Sequence, residues 1–111
     1  MCRLIYKLPA HIYELMILEA AILNVIPGKE TQFEKDFVTA GQYISFIKGY
    51  TKHSLSKCIE RQNQYLLLVE WETLEDHTVG FRQSAAYLEW KRLLHHYYDP
   101  FPVVEHYQAV I

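Results

Sequence analysis

The residues of this chain best equipped for chemistry lie in its last third, between the strand-like run Tyr65–Trp71 and the closing Val103–Tyr107. Between them come His77, Phe81, Arg82, Trp90, His95, His96, Tyr97 and Tyr98. His77 falls in the first helical turn after Trp71. A neutral imidazole there could take a proton from a phenol or enol, with Asp76 or Glu75 placed to orient it. Arg82 offers a planar fork suited to a carboxylate or enolate oxygen. His77 and Arg82 are therefore the candidate catalytic residues. Trp71, Phe81, Trp90, Tyr98 and His106 are the candidate substrate-binding groups, as aromatic walls for a flat, electron-rich molecule. Each has a structural alternative. His77 could bond a neighbouring loop, the aromatics could be plain core, and Arg82 could pair with Glu70, Glu72 or Glu105.

His95-His96 invites a metal reading, but adjacent helical residues point about 100° apart. The positions four residues earlier are Lys91 and Arg92, which cannot complete a zinc-type pair. No metal and no cofactor is expected. One of the two histidines should face the cleft and the other water. His53, midway along a strand, and His106 are each either interface or cleft residues. Alternation puts His106 and Val104 on one face of the last strand, with Glu105 and Tyr107 on the other.

The elements that must hold these groups are legible from Met16 onward. Ile17 to Val25 is an apolar run of strand length, ended by Pro27-Gly28. Phe33, Phe37, Ala40, Gly41 and Ile44 recur at helical spacing, predicting a helix from about Lys29 to Phe46 with Gly49 as its C-terminal stop. Tyr50 to Ile59 reads as a half-exposed strand. The polar turn Glu60-Arg61-Gln62-Asn63 joins it to Tyr65–Trp71 as a hairpin. Thr73-Leu74-Glu75-Asp76 has capping-box form and starts a short helix. Ser84 caps a second helical piece that carries Tyr87, Trp90, Leu94 and Tyr97 on one side. Asp99-Pro100-Phe101-Pro102 ends it, and Val103 to Ile111 is the last strand. The order predicts an α+β, ferredoxin-like βαββαβ sandwich, a four-stranded antiparallel sheet with helices on one face.

At 111 residues the chain has room for one domain. A working domain is expected over 16–111, with residues 1–15 as an added N-terminal arm or, alternatively, an extra edge strand or disordered tail. A net charge of −2 with scattered Lys and Arg gives no nucleic-acid footprint. No apolar run approaches membrane-spanning length, and residues 1–9 make a poor signal peptide because Lys7 and Pro9 cut the apolar stretch. Cys2 and Cys58 lack metal spacing and suggest no disulfide framework. A cytoplasmic protein is expected.

Val69-Glu70-Trp71-Glu72, Phe81-Arg82-Gln83-Ser84, Tyr87-Leu88-Glu89-Trp90 and Pro102–Tyr107, in this element order, resemble the antibiotic biosynthesis monooxygenase (ABM) family of dimeric α+β barrel proteins, from about Met16 to Ile111. The resemblance implies a homodimer whose two sheets close face to face, with a pocket in each subunit. It also implies a cofactor-independent monooxygenase acting on a small aromatic or quinol-type molecule. The alternative is a binding protein or isomerase of the same fold. The chain departs from some branches. Leu67 stands where some aromatic-oxidising members carry Asn. Ala21, Phe81 and Lys91 stand where haem-degrading members carry Asn, Trp and the ligating His, which disfavours haem degradation.

Overall fold

The structure, a computed structural model, describes residues 16–111. The expected arm over residues 1–15 lies outside the described residues. Four strands, β1 (Ile17–Asn24), β2 (Tyr50–Lys57), β3 (Gln64–Trp71) and β4 (Val104–Gln108), pair antiparallel in the order β2-β3-β1-β4. Two α-helices, α1 (Glu30–Ile44) and α2 (Ala85–Leu94), cross over between strands and pack side by side. This is the α+β, ferredoxin-like sandwich expected from the element order.

Strand alternation decides what the helices cover. Glu19, Ala21 and Leu23 of β1 and Tyr65, Leu67, Val69 and Trp71 of β3 point to the helices and are buried. They meet Phe33, Phe37, Ala40 and Ile44 from the apolar stripe of α1, and Trp90 and Leu94 from α2. The opposite sheet face stays open. Ile22 and Leu66, which oppose each other across β1 and β3, are exposed there, as is Tyr107 of β4.

Five elements differ from the expectation. Helix α1 ends at Ile44, with Ser45 as its C-cap, so Gly49 is not its stop. Gly49 instead turns the chain into β2 at a φ of +86°, and its carbonyl accepts from the Glu72 N–H. The helix Thr73 was expected to start does begin with Thr73 Oγ1 accepting from the Asp76 N–H at 3.1 Å. It then widens into a π-helical turn over Asp76–Phe81. Such turns insert an extra residue per turn and occur often at functional sites. Tyr97 belongs to a 3₁₀ turn (His95–Tyr97) rather than to α2, although it is buried on the expected side. The last strand covers only Val104–Gln108 and the second stops at Lys57.

Candidate active site

A cavity of about 330 Å³ opens between the helix-facing side of the sheet and the segment from the π-helical turn to β4. Glu19, His77 and Arg82 line its polar part. Phe81, Tyr87, Trp90, Tyr98 and Phe101 supply aromatic wall, and Leu67 stands on its floor. The β1 alternation that buries Ala21 and Leu23 brings the Glu19 carboxyl onto the same face, where the side chain is buried. The π-helical turn swings His77 inward to the same place, and the imidazole is 3% exposed.

The polar groups form one connected array. His77 Nε2 lies 3.4 Å from Glu19 Oε1. That oxygen also accepts from Trp71 Nε1–H at 2.9 Å. His77 Nδ1 lies 2.8 Å from His106 Nε2. The Trp71 indole stacks on the His77 ring. Two neighbours from β1 and β4, not the expected Asp76 or Glu75, therefore orient His77. Asp76 turns away to face Lys48 at 3.5 Å.

Burial sets the protonation of the array. It pushes the Glu19 carboxyl up, only partly opposed by the Trp71 hydrogen bond and the Arg82 charge. It lowers His77 to about 3, with the Arg82 charge and His106 adding in the same direction. His106 is lowered by burial and then by Arg82. At neutral pH the site thus holds a neutral imidazole beside a carboxyl drawn toward its neutral form. Arg82 itself is exposed at the cavity rim, and among the described residues no carboxylate forms an ion pair with it. The pairing with Glu70, Glu72 or Glu105 weighed as an alternative is not made, and the guanidinium is available to an anion.

Of the candidates chosen from sequence, His77, Arg82, Phe81, Trp90 and Tyr98 line the cavity. Trp71 and His106 stand behind it. Trp71 is fully buried under His77, so it buttresses the imidazole rather than stacking on a ligand. His106 is half-buried and touches the site through His77. His95 faces the cavity and His96 is exposed. His53 is held elsewhere, between the Tyr50 hydroxyl at 2.6 Å and Phe37 and Gly41 of α1. Among the described residues no three His, Cys, Asp or Glu side chains are grouped to hold a metal ion. A wider groove of about 840 Å³ runs between α1 and β2. His53 lines this groove, where Glu34 accepts from Lys57 at 3.3 Å and from the Tyr65 hydroxyl at 2.6 Å.

Comparison with known proteins fits this architecture. The family model for antibiotic biosynthesis monooxygenases matches residues 16–93. The chain belongs to the ABM family. An uncharacterised Bacillus subtilis (strain 168) protein, YczJ, is 60% identical over 95 residues, which is 86% of this chain and 100% of YczJ. A Bordetella bronchiseptica structure assigned provisionally to the same family superposes with a TM-score of 0.82 at 38% identity, over 86% of this chain and 98% of that one. A variant of SnoaB from Streptomyces nogalater, described as a cofactor-independent oxygenase, superposes with a TM-score of 0.76. It covers 86% of this chain and 94% of that one, but at 14% identity it shares the fold alone.

Sequence reasoning about this ABM-family chain missed Glu19. The residue sits in a run of apolar side chains, Ile17 to Val25, and one carboxylate on the buried face of such a strand was the available signal. Buried acidic side chains are rare unless partnered or functional. Phe101 was read only as part of a helix-ending segment, yet it edges the cavity beside His95 and Tyr98.

Proposed function

We propose that this chain is a cofactor-independent monooxygenase acting on a small aromatic, quinol-type substrate, and that it works as a cytoplasmic homodimer. The observation that carries the reading is the convergence of Glu19, His77 and Arg82 in a cavity with aromatic walls. Its volume lies at the small end of the range for ligand pockets, about 300–1,000 Å³. Such a substrate can reduce O2 itself once it is deprotonated. His77 takes the proton at Nε2. Arg82 faces the oxygen on which the resulting charge collects. The substrate carbanion forms a C–O bond to O2, the remaining C–H bond at that carbon and the O–O bond then break, hydroxide leaves, and a carbonyl remains. All four electrons that reduce O2 to the carbonyl oxygen and water come from the substrate, and the departing hydroxide takes up a proton to become water. Phe81, Trp90 and Tyr98 hold the ring and keep water from the carbanion.

The description of SnoaB as a cofactor-independent oxygenase supports this chemistry on the shared fold. The homodimer reading draws on the open sheet face, where Ile22, Leu66 and Tyr107 form an exposed apolar strip that a second copy would cover. O2 uptake by the purified protein, with a panel of quinols and polyphenols and neither metal nor flavin added, tests the function. Uptake is expected in wild type and about a hundredfold less in His77→Ala, in line with the loss of a general base. No uptake with any substrate overturns the oxygenase.

A carboxyl that burial draws toward its neutral form, beside a neutral imidazole, favours a second reading, an isomerase that removes a proton with His77 and returns one from Glu19. Consumption of the substrate at the same rate without O2 would select it.

A further inference from the structure

We propose that His106 is the proton outlet of the cavity, the outer member of a relay running from His77, beside Glu19, to the solvent side of β4. The inference rests on the reading of His77 as proton acceptor.

The geometry is continuous. Glu19 and His106 are direct cross-strand partners on β1 and β4, both directed to the helix side of the sheet. The π-helical turn places the His77 imidazole in contact with both side chains. Its Nε2 lies 3.4 Å from Glu19 Oε1 and its Nδ1 lies 2.8 Å from His106 Nε2. His77 is buried, while His106 is half-buried on an edge strand. The array therefore begins in the cavity lining and ends where water reaches.

The array has the bonds a relay needs. The relay requires His77 to carry its proton on Nδ1 before reaction and donate it to His106 Nε2, leaving Nε2, which lies beside Glu19 Oε1 in the cavity lining, as the acceptor. When the substrate's proton forms a bond to His77 Nε2, the Nδ1–H bond breaks and its proton passes to His106 Nε2. His106 then releases the proton on its own Nδ1 to water. Both rings end neutral, with their tautomers exchanged. The hydroxide that leaves after O–O cleavage needs one proton, and the reverse passage supplies it and restores both tautomers. Burial and the Arg82 charge oppose an imidazolium at His77, so His77 can pass a proton but not store one. The charged and titratable groups facing His106 are Glu19, His77 and Arg82.

His106→Gln tests the relay, since an amide can still bond His77 Nδ1 but cannot pass a proton on. The expected result is a turnover number at least tenfold lower, restored by added imidazole, with a larger solvent isotope effect than wild type. Loss of turnover with no rescue by imidazole and an unchanged isotope effect would reduce His106 to a packing residue and overturn the proposal. Substrate-free ¹⁵N NMR of histidine-labelled protein provides the second measurement. His77 Nδ1 should shift as His106 titrates in wild type and lose that response in His106→Gln. A His77 signal indifferent to His106 sinks the relay even if the protein consumes O2. Coupled signals in a protein that oxidises no quinol sink the proposed function and leave the relay standing.

Discussion

The indole of Trp71 and the imidazole of His77 lie face to face, with ring centroids 5.3 Å apart and planes 16° from parallel. The indole N–H is committed at the same time to Glu19. One side chain therefore fixes both the plane of the imidazole and the carboxyl beside it. Trp71→Phe keeps a ring over His77 but leaves a buried carboxyl oxygen short of a donor, which costs about 1–3 kcal/mol. A lower urea midpoint and a several-fold drop in turnover are expected. An unchanged midpoint would show that the Glu19 contact contributes nothing to stability.

Acid should weaken the fold, and two variants should move that response in opposite directions. His77 is lowered to about 3, and His53, His95 and His106 are also lowered, all chiefly by burial. Below about pH 6.5 the unfolded chain binds protons that these rings refuse in the fold, so stability falls as pH falls. His77 alone contributes at most about 1.4 kcal/mol per pH unit between 6.5 and 3. Glu19 has the opposite sign. Its carboxyl is raised, so acidification from its folded value toward 4.5 returns stability. Melting temperature measured from pH 7 to 4 should decline in wild type, decline less in His77→Gln and decline more steeply in Glu19→Gln. Parallel curves for all three would contradict these protonation states.

Arg82 is an exposed guanidinium at the cavity rim. Arg82→Gln should lower kcat/KM about a hundredfold if it faces developing charge, and Arg82→Lys should fall between, since the charge remains but the fork is lost. The Gln variant should also raise the His106 titration midpoint, because the Arg82 charge holds it down. A midpoint that stays put in an NMR titration would place the guanidinium farther away than the structure does.

Gly49→Ala tests the turn beneath the site. Its φ of +86° strains any side chain, and a Cβ there would run into the Asp76 carboxyl. A loss of about 1–3 kcal/mol in denaturant unfolding is expected. A change within about 0.5 kcal/mol would mean that this turn relaxes freely.

The open sheet face gives a test of assembly. Ile22→Glu puts a charge in the middle of its apolar strip. The expected outcome in sedimentation velocity is a monomer in place of a dimer, with the strand content kept. A variant that still sediments as a dimer would move the interface elsewhere.

Local chemistry made much of the fold legible. The helical spacing of Phe33, Phe37, Ala40, Gly41 and Ile44 marks the buried stripe of α1, and those five residues are buried in the structure. Ser84 accepts from the Tyr87 N–H and starts α2, as its position before the aromatic stripe indicates. The end of α1 was not legible from Gly49, because its positive φ serves the turn into β2 and not a helix cap. The π-helical turn was also hidden. The Thr73 capping signal marks where helix begins but not how the next turn closes.

By itself the sequence determined the order of strands and helices, the side of each that is apolar, and the family, because spacing and capping act within a few residues. It also nominated His77 and Arg82 from residue type and position. Only the tertiary structure decided which groups touch. Glu19 and His106 stand near opposite ends of the domain and meet because β1 and β4 pair in one register. A slip of one residue in either strand would send that side chain to the open face. The pairing of β1 with β3, with the π-helical turn laid over it, turned Trp71 from a candidate wall into the support of His77. Register and packing act across the whole chain, so no local pattern of residues could have carried them.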